Sequence, residues 1–520
     1  MKAFLTALCL GLLLACGPKN ETDTATVPTP KQTYATPQMT QPVDEAKLSA
    51  TFPVLDKVYK DYMEKNHFPS IAYGVVANGK LVYSGSYGFI DVDKKTPSSA
   101  QALYRIASMS KSFTAMAILK LRDEGKLNLT DPVTKYIPEF AKAGSLTTDA
   151  QPITIQNMMT MAAGFPEDNP WGDRQLADTD EELLKLVGGG LSFSNVPGTT
   201  YEYSNLGFAL LGKIIGNVSG VPYQQYITEN IMKPIGMNDS KWEYNEVPAD
   251  KLAHGYRWED EQWKEEALLH DGSYGAMGGL ICSIDDFAKY VAFHLNAWPP
   301  RNDAESGPVK RSSIREMHQP WRFNNIFAQN KNRIGEPCPM AVGYGYGLNW
   351  RKDCTGTVRV AHSGGLPGFG SEWRIYPESG VGVISFSNRT YGAPGQANAI
   401  ALDTLIQLAG LKPRELPPSE VLVKRQQQIV DVMQNWSDNQ LNIFAENFFM
   451  DLSLDRWKAS AKKIFDEAGA VKSVGAVRPE NQLRGSFTIT GEKKSVDVFF
   501  TLTPEAEPLV QQLDVWIKQD

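Results

Sequence analysis

The chain has 520 residues, of which 42% are hydrophobic and 10% aromatic, so it is long enough to bury a large core and to form more than one domain. Its formal net charge is -7 at pH 7, and it contains no basic stripe of the kind that phosphate contacts require. This composition excludes a disordered chain and argues against nucleic acid as a partner.

The first sixteen residues read MKAFLTALCLGLLLAC, in which Lys2 precedes an apolar run that is too short to span a bilayer. This arrangement resembles a bacterial lipoprotein signal, which implies that residues 1–15 are removed and that Cys16 carries the lipid. An ordinary cleaved signal or a buried apolar helix also fits the composition. We expect an extracytoplasmic protein of the periplasm or cell envelope that is anchored in the membrane.

Residues 16–47 are rich in Thr, Pro and Gln and nearly free of large aliphatic side chains, which predicts a flexible tether. In the oxidising compartment that such an anchor implies, Cys338 and Cys354 are candidates for a disulfide across a short loop, while Cys282 stays free. Two buried thiols are the alternative.

Strand and helix patterns alternate through residues 48–410. Two β-rich runs flank the dipeptide Asn78-Gly79, which favours a tight hairpin. Apolar residues at helical spacing follow Ser108, a helix-rich middle comes next, and β-patterned runs return between residues 344 and 388. We therefore predict a mixed α/β layered domain with a helical subdomain and a largely antiparallel sheet, assembled from distant segments.

The pattern changes at residues 411–420, which contain three prolines and predict a linker. Residues 421–520 then show a helical pattern followed by a hairpin pattern, which predicts a small α+β domain. We find no catalytic motif there and expect an accessory role in interaction or shielding.

Ser108 and Lys111 form an S-x-x-K motif at the start of the predicted helix. Free N–H groups and the positive end of the helix dipole favour a developing anion beside Ser108, and Lys111 lies on the same face. A helix cap is the alternative role for Ser108. The same spacing recurs at Ser460 and Lys463, so the motif indicates a nucleophile only if partners are found.

Two further motifs supply candidate partners. Tyr203 and Asn205 form a Y-x-N motif just before an apolar helical run, where they either point into a cleft or act as a core aromatic and a helix cap. Among six histidines, His362 is the one followed by Ser-Gly, and the glycines after Ser363 let a substrate approach the strand backbone closely. Ser363 and Gly364 are therefore candidate substrate-binding residues. A surface histidine beside a turn is the alternative.

In this order, S-x-x-K, Y-x-N and H-S-G resemble the motifs of the serine β-lactamase and penicillin-binding-protein superfamily. The branch concerned contains class C β-lactamases, D,D-peptidases, D-aminopeptidases and related esterases. The resemblance covers roughly residues 50 to 410, including the flanking KLNLTDPVTKYIPEF and GAMGGLICSIDDFAKY. It implies a β-lactamase/transpeptidase-like fold and a nucleophilic Ser108.

The resemblance also implies roles for the other motif residues. Asn205 would orient Lys111 and the substrate amide, and the backbone N–H groups of Ser108 and Gly365 would form the oxyanion hole. Holding Tyr203 as a phenolate at pH 7 costs about 4 kcal/mol. A lysine ammonium at ~4 Å supplies about as much, so we expect Lys111 and Tyr203 to share a proton as a coupled pair.

His362 stands where β-lactamases and D,D-peptidases of this branch carry the lysine of K-T-G. With an ordinary pKa near 6.5, it would be mostly neutral at pH 7 and would protonate near pH 5.5. Because H-x-G occurs in esterases and D-aminopeptidases, those relatives become the closer comparison. A polar loop at residues 164–182 adds Trp171, Asp173 and Arg174 as candidate substrate-binding residues, with a solvated surface pair as the alternative for the last two.

We therefore expect a serine hydrolase that acts through an acyl-enzyme on an ester or on an amide such as a D-amino-acid peptide, without a metal or cofactor. A D,D-carboxypeptidase or weak β-lactamase is the second hypothesis. A catalytically silent protein that binds cell-wall peptides is the third. The expected partners are a small-molecule ester or peptide substrate and, through the lipid anchor, the membrane.

Overall fold

The computed structural model describes residues 42–332, 334–414 and 417–519. This part of the chain forms two compact units, of which the larger ends at Pro417 and the smaller begins at Pro418. The predicted signal, Cys16 and most of the predicted tether lie outside the described residues. Within the described ranges, no helix combines the length and the apolar character needed to cross a bilayer.

An antiparallel sheet forms the centre of the larger unit. The strands of this unit are β1 Ser70–Ala77, β2 Lys80–Asp91, β3 Thr96–Pro97, β4 Tyr104–Arg105, β5 Tyr256–Glu259, β6 Gln262–Glu265, β7 Ile281–Cys282, β8 Arg322–Phe327, β9 Met340–Tyr344, β10 Asn349–Lys352, β11 Val358–Leu366, β12 Phe369–Tyr376 and β13 Val381–Ser387. Among the described residues, nine of these strands form one sheet in the order β3-β2-β1-β13-β12-β11-β10-β9-β8. Since β1 pairs with β13, the prediction of a sheet assembled from distant segments is confirmed.

Helices cover both faces of this sheet, as the mixed α/β prediction requires. They are α1 Glu45–Ser49, α2 Phe52–Lys65, α3 Ser110–Asp123, α4 Ile155–Met159, α5 Asn169–Gly172, α6 Asp180–Gly188, α7 Asn205–Ser219, α8 Tyr223–Ile227, α9 Gly275–Gly278, α10 Ile284–Asn296, α11 Arg311–Met317 and α12 Gly395–Leu408. Helices α1, α2 and α12 pack on one face, and α10 with the helices around α3 and α7 packs on the other. Along β1, Ile71 and Val75 face the first group while Ala72 and Val76 face the second, so the strand is buried on both sides.

Two local predictions are confirmed in the first part of this unit. Asn78 and Gly79 have φ angles of 52° and 76°, which the tight β1–β2 hairpin requires. Helix α3 begins at Ser110, directly after a 3₁₀ turn of Ala107–Met109, and Gly125 follows its end with a φ of 72°. Nearly every residue of α3 is buried, so this helix lies at the centre of the helical layer.

The smaller unit has its own hydrophobic core. Its elements are α13 Glu420–Asn435, α14 Phe448–Asp451, α15 Leu454–Ala468, β14 Val471–Val474, β15 Arg478–Asn481, β16 Arg484–Gly491, β17 Ser495–Leu502 and β18 Val510–Ile517. The strands pair antiparallel, and Phe487, Val498 and Phe500 are fully buried between sheet and helices. Ser460 and Lys463, the second S-x-x-K pair, are exposed on α15.

Cys338 and Cys354 form a disulfide in the larger unit. Cys338 precedes β9 and Cys354 follows β10, so the bond closes the open end of the β9–β10 hairpin. Cys282 on β7 is a buried free thiol.

A buried histidine pair lies between α10 and the segment after α11. Trp298 Nε1 donates to His318 Nδ1 at 2.8 Å, so His318 Nε2 carries a proton and donates it to His294 Nδ1, also at 2.8 Å. His294 Nε2 is buried and has no hydrogen-bond partner among the described residues. Burial lowers the pKa of His318 to about 3 and holds the pKa of His294 well below its ordinary value.

We expect this pair to destabilise the fold in mild acid. In the unfolded chain both histidines protonate as the pH falls below about 6.5, whereas the folded protein keeps them neutral, so their stabilising contribution is lost as the pH falls below that value. For His318 the loss continues down to about pH 3. At pH 5.0 the loss is about 2 kcal/mol per histidine. In urea unfolding followed by circular dichroism, the His294→Gln/His318→Gln variant should therefore lose about 4 kcal/mol less stability than the wild type between pH 7.5 and 5.0. Equal losses in the two proteins would show that other groups cause the acid effect.

Candidate active site

Ser108 lies in a cleft of about 710 Å³ that is lined by residues preceding α3 and α7 and by β11. Its neighbour Ala107 has a φ of 51°, in the left-handed region that residues with a side chain seldom adopt. The preceding residue is held in place, since the Ile106 carbonyl oxygen accepts a hydrogen bond from Ser371 Oγ at 2.7 Å. The backbone before Ser108 is therefore strained and held by the sheet, which is common at functional sites.

Lys111 is directed at Ser108. Its Nζ lies 3.0 Å from Ser108 Oγ, 2.7 Å from Asn205 Oδ1 and 3.0 Å from the Met277 carbonyl oxygen. The side chain is fully buried, and this burial lowers the pKa of Lys111 to about 7 against the opposing effect of nearby carboxylates. A large fraction of Lys111 is therefore neutral at pH 7 and able to accept the proton of Ser108.

Tyr203 is the second titratable group beside Ser108. Lys111 Nζ lies 4.9 Å from the centre of the tyrosine ring, and desolvation raises the pKa of Tyr203 well above its ordinary value, with the interaction with Ser108 acting in the opposite direction. Burial thus favours the neutral form of both groups. The expectation that Lys111 and Tyr203 share a proton as a coupled pair is corrected here, because it counted the attraction between the two charges and omitted the cost of their desolvation. Lys111 becomes the candidate base and Tyr203 the protonated partner.

Asp168, which the sequence analysis did not single out, holds the Y-x-N segment in place. Its carboxylate accepts hydrogen bonds from the backbone N–H groups of Asn205 at 2.6 Å and Leu206 at 2.9 Å, and from Ser204 Oγ at 3.1 Å. A negative charge at the first turn of α7 complements the helix dipole. The start of α7 is therefore fixed with the Asn205 side chain beside Lys111.

Asp173 is one candidate of the polar loop that lines the cleft. It is buried, and Asn205 Nδ2 donates to its Oδ1 at 3.3 Å. Burial raises the pKa of Asp173 to about 6, while Lys111 and a hydrogen bond from Tyr391 act against that rise. Asp173 is therefore a buried carboxylate connected through Asn205 to Lys111, and the alternative of a solvated surface pair with Arg174 is wrong for it.

The other two candidates of this loop lie outside the cleft lining. Trp171 is 45% exposed, and its ring packs edge to face on Tyr274 with 6.0 Å between the ring centres. Arg174 is also exposed. The reason is the turn of the chain through the short helix α5 and its C-cap Asp173, which buries Gly172 and Asp173. Trp171 and Arg174, on either side of these two residues, are exposed.

His362 is buried, with its ring centre 6.4 Å from that of Tyr203, and its hydrogen bonds define its tautomer. Its Nδ1 lies 2.6 Å from the Ser363 carbonyl oxygen, which only accepts, so Nδ1 carries the proton and Nε2 accepts from the Tyr344 hydroxyl at 3.0 Å. Burial, followed by the charge of Lys111, lowers the pKa of His362 to about 3. The prediction that His362 protonates near pH 5.5 is therefore wrong, because it took the pKa of a solvated histidine.

Gly364 brings β11 close to the backbone before Ser108. A Cβ at this position would collide with the Ile106 carbonyl oxygen and with Ser371 Oγ. Glycine is therefore required here by the space available, and its presence lets the strand pass directly beside the 3₁₀ turn that carries Ser108.

The C-terminal half of β11 has a free edge. Strand β10 pairs only with Val358–Ala361, so no described strand pairs with His362–Leu366 on that side. Ser363 is exposed there, and it lines the same cleft as Gly365 and Ser108, the two residues assigned to the oxyanion hole by resemblance.

Sequence reasoning missed the remaining residues of the lining, which are Glu167, Asn169, Tyr201, Glu202, Asn349, Arg351 and Tyr391. Tyr201 and Glu202 directly precede the Y-x-N motif, and Glu167 and Asn169 lie in the polar loop of residues 164–182, so both stretches offered a signal. Asn349, Arg351 and Tyr391 come from β10 and from the segment after β13, which only the fold brings beside Ser108. No cluster of three or more His, Cys, Asp or Glu side chains arranged to hold a metal occurs in the described ranges.

The layered antiparallel fold and the cluster of Ser108, Lys111 and Tyr203 define a β-lactamase/transpeptidase-like protein. The profile of the Beta-lactamase family matches residues 55–407, so this chain belongs to that family.

Individual relatives match over part of their length. Protein flp of Staphylococcus aureus is 30% identical over 343 residues, which make up 64% of this chain and 62% of that protein. Beta-lactamase-like protein 2 of Dictyostelium discoideum is 31% identical over 267 residues, 49% of this chain and 48% of that protein. The chain thus spans less than two thirds of the length of either relative.

Solved structures show the same fold. The octameric penicillin-binding protein homologue from Pyrococcus abyssi has a TM-score of 0.59 and 23% identity, over 90% of this chain and 96% of that one. The penicillin binding protein from Bacillus halodurans has a TM-score of 0.53 and 22% identity, over 68% and 98%. At these identities the likeness concerns the fold alone.

Proposed function

We propose that this protein is a serine hydrolase that forms an acyl-enzyme on Ser108 from an ester or from an amide such as a D-amino-acid peptide. The observation that carries the proposal is the 3.0 Å contact between Lys111 Nζ and Ser108 Oγ inside a cleft, together with the burial that lowers the pKa of Lys111 to about 7. A base of this pKa beside a serine hydroxyl is what nucleophilic catalysis near neutral pH needs.

Acylation begins when neutral Lys111 accepts the hydroxyl proton of Ser108 and Oγ attacks the carbonyl carbon of the substrate. Negative charge develops on the carbonyl oxygen, which the N–H groups of Ser108 and Gly365 stabilise; removing one such donor typically costs about 3 kcal/mol. When the bond to the leaving group breaks, Tyr203 gives its proton to the leaving atom and regains one from Lys111. The acyl group stays on Ser108.

Deacylation repeats these steps with water. Neutral Lys111 accepts a proton from the attacking water, the second tetrahedral intermediate collapses, and the proton returns to Ser108 Oγ as the acid product leaves. Asn205 keeps Lys111 in place through its 2.7 Å contact, and Asp168 fixes Asn205 in turn. These two residues act as positioning groups.

Two features support a substrate with an extended backbone and a preference for esters or D-aminopeptides. The free edge of His362–Leu366 offers main-chain groups to a peptide-like chain that lies alongside it. His362 is neutral, so it lacks the fixed positive charge of the K-T-G lysine in β-lactamases and D,D-peptidases. A D,D-carboxypeptidase or weak β-lactamase is therefore the second hypothesis.

The location of the protein forms part of the proposal. The resemblance of residues 1–16 to a lipoprotein signal supports a lipid on Cys16, with the catalytic unit outside the cytoplasm. A Cys338–Cys354 disulfide is in keeping with an oxidising compartment.

Parallel labelling with a fluorescent phosphonate and a fluorescent penicillin tests the proposed function. We expect the phosphonate to label the wild type strongly and the penicillin to label it weakly, because Ser108 is activated while His362 supplies no charge for the penicillin carboxylate. Ser108→Ala is the control for both probes. Strong labelling by both probes would favour the penicillin-binding hypothesis, and labelling by neither would favour a catalytically silent binding protein.

A further inference from the structure

A second cavity adjoins the Ser108 cleft. It has a volume of about 690 Å³ and is lined by residues of β10, β11, β12 and α12 and by Tyr62 of α2. Five residues line both cavities, namely Asn349, Arg351, Ser363, Gly365 and Tyr391. The two cavities therefore adjoin at the free edge of β11, and we call the second one the arginine groove.

Positive charge dominates the arginine groove. Arg351 on β10 and Arg359 on β11 are directly opposite in register, which places both side chains on the same face of the sheet. Arg374 on β12 contributes a third guanidinium to the lining of the groove, and Glu372 contributes the one carboxylate of that lining. Like charges directly opposite each other destabilise a pair of strands, so this arrangement calls for a compensating partner.

Glu372 does not supply that partner. One of its oxygens accepts a hydrogen bond from Arg374 Nε at 2.7 Å, and the other accepts from Asn398 Nδ2. Among the described residues, neither Arg351 nor Arg359 forms an ion pair, and Arg359 Nε is buried without a hydrogen-bond partner. Burial, followed by the charges of Arg374 and Arg351, lowers the pKa of Arg359 to about 10, while Glu372 and Tyr376 act against this shift.

We propose that the arginine groove is a subsite for an anionic group of the substrate. The free edge of β11 lies between this subsite and the bond that Ser108 cleaves. An extended substrate passes Ser363 and Gly365 and places a carboxylate or phosphate between Arg351 and Arg359. Guanidinium forks bind such planar or tetrahedral oxyanions through paired, charge-assisted hydrogen bonds. The inference rests on the proposed acyl-enzyme function, and it names the substrate class as esters or amides that carry a negative charge away from the scissile bond.

Two pairs of matched esters test the subsite in turnover. In the first pair, the para-nitrophenyl monoester of glutarate carries a negative charge in its acyl half, and para-nitrophenyl valerate is the neutral ester. In the second pair, meta-carboxyphenyl butyrate carries the charge in its leaving group, and meta-carbamoylphenyl butyrate is the neutral ester. In at least one pair, Arg359→Gln should lower the ratio of kcat/KM for the anionic ester to that for the neutral ester by about 10- to 100-fold.

Arg322 provides a matched control for this substitution. Like Arg359, it is a half-buried arginine of the same sheet with a buried, unpartnered Nε, but it lines neither cavity. Arg322→Gln should leave both ester ratios within twofold of the wild type. This control separates the loss of the Arg359 guanidinium from the groove from a general loss of one positive charge from the protein.

A binding measurement separates failure of this inference from failure of the proposed function. Glutarate and phenyl phosphate are titrated calorimetrically into Ser108→Ala and into Ser108→Ala/Arg359→Gln. Binding that is about tenfold weaker or more in the double variant supports the subsite even if no ester is hydrolysed, and the tighter anion tells carboxylate from phosphate. Equal binding by both proteins, together with ester ratios that Arg359→Gln leaves within twofold, overturns it. Absence of ester turnover in the wild type would count against the proposed hydrolase function and not against the subsite.

Discussion

Ser108→Ala should abolish acyl-enzyme formation and lower ester turnover by roughly 10⁴-fold or more. The substitution removes the oxygen that Lys111 Nζ approaches at 3.0 Å, while the cleft and the base stay in place. Intact-mass spectrometry during turnover of a slow ester should show the wild type heavier by the mass of the acyl group. The variant should show no added mass.

The chain contains its own control for this experiment. Ser460 has the same S-x-x-K spacing as Ser108, but it is exposed on α15 in the smaller unit and lines no part of the cleft. Ser460→Ala should therefore form the adduct at the wild-type rate. An acyl adduct on the Ser108→Ala protein would disprove the assignment of the nucleophile.

Lys111→Met should lower kcat/KM for a neutral ester by about 10²- to 10⁴-fold, the range typical of a lost general base. The pH profile should change as well. Because burial lowers the pKa of Lys111 to about 7, wild-type kcat/KM should rise with pH through about 7 as the ammonium loses its proton, and it should fall about tenfold per pH unit in acid. In the variant, the residual activity should lack this dependence on a group of pKa 7.

Lys463→Met is the matched control, since Lys463 is the exposed lysine of the second S-x-x-K pair. It should retain the wild-type rate and pH profile. Near-ultraviolet circular dichroism establishes that Lys111→Met remains folded, which we expect because the change removes a charge from a buried site. A profile in Lys111→Met that still rises through pH 7 would assign the base to another residue.

Features that depend on neighbouring residues in the chain could be predicted from sequence. The β1–β2 hairpin follows from the φ preferences of Asn78-Gly79, and the alternation of strand and helix patterns indicates a layered α/β fold. The motifs around Ser108, Tyr203 and His362 were also visible, because each is a short run of residue types with fixed spacing.

Features that depend on contacts between distant segments were missed. Asp168 reaches the start of α7 across 37 residues, and no pattern marks it out from the other acidic residues of its loop. Trp171 was expected in the pocket, yet the direction in which α5 turns its side chains places it outside. The pairing of Arg351 with Arg359 follows from strand register, which is set by the contacts between β10 and β11 and is not defined by the residue types along either strand.

By itself, the sequence determined the order and spacing of the residue types, including two S-x-x-K motifs that have the same spacing. Only the tertiary structure decided between them, because it buries Lys111 against Ser108 and Asn205 and leaves Lys463 in solvent on α15. The physical reason is desolvation, which removes water from a charged group only when segments far apart in the chain close around it. The same effect lowers the pKa of Lys111 to about 7 and that of His362 to about 3, and neither value follows from the identities of adjacent residues.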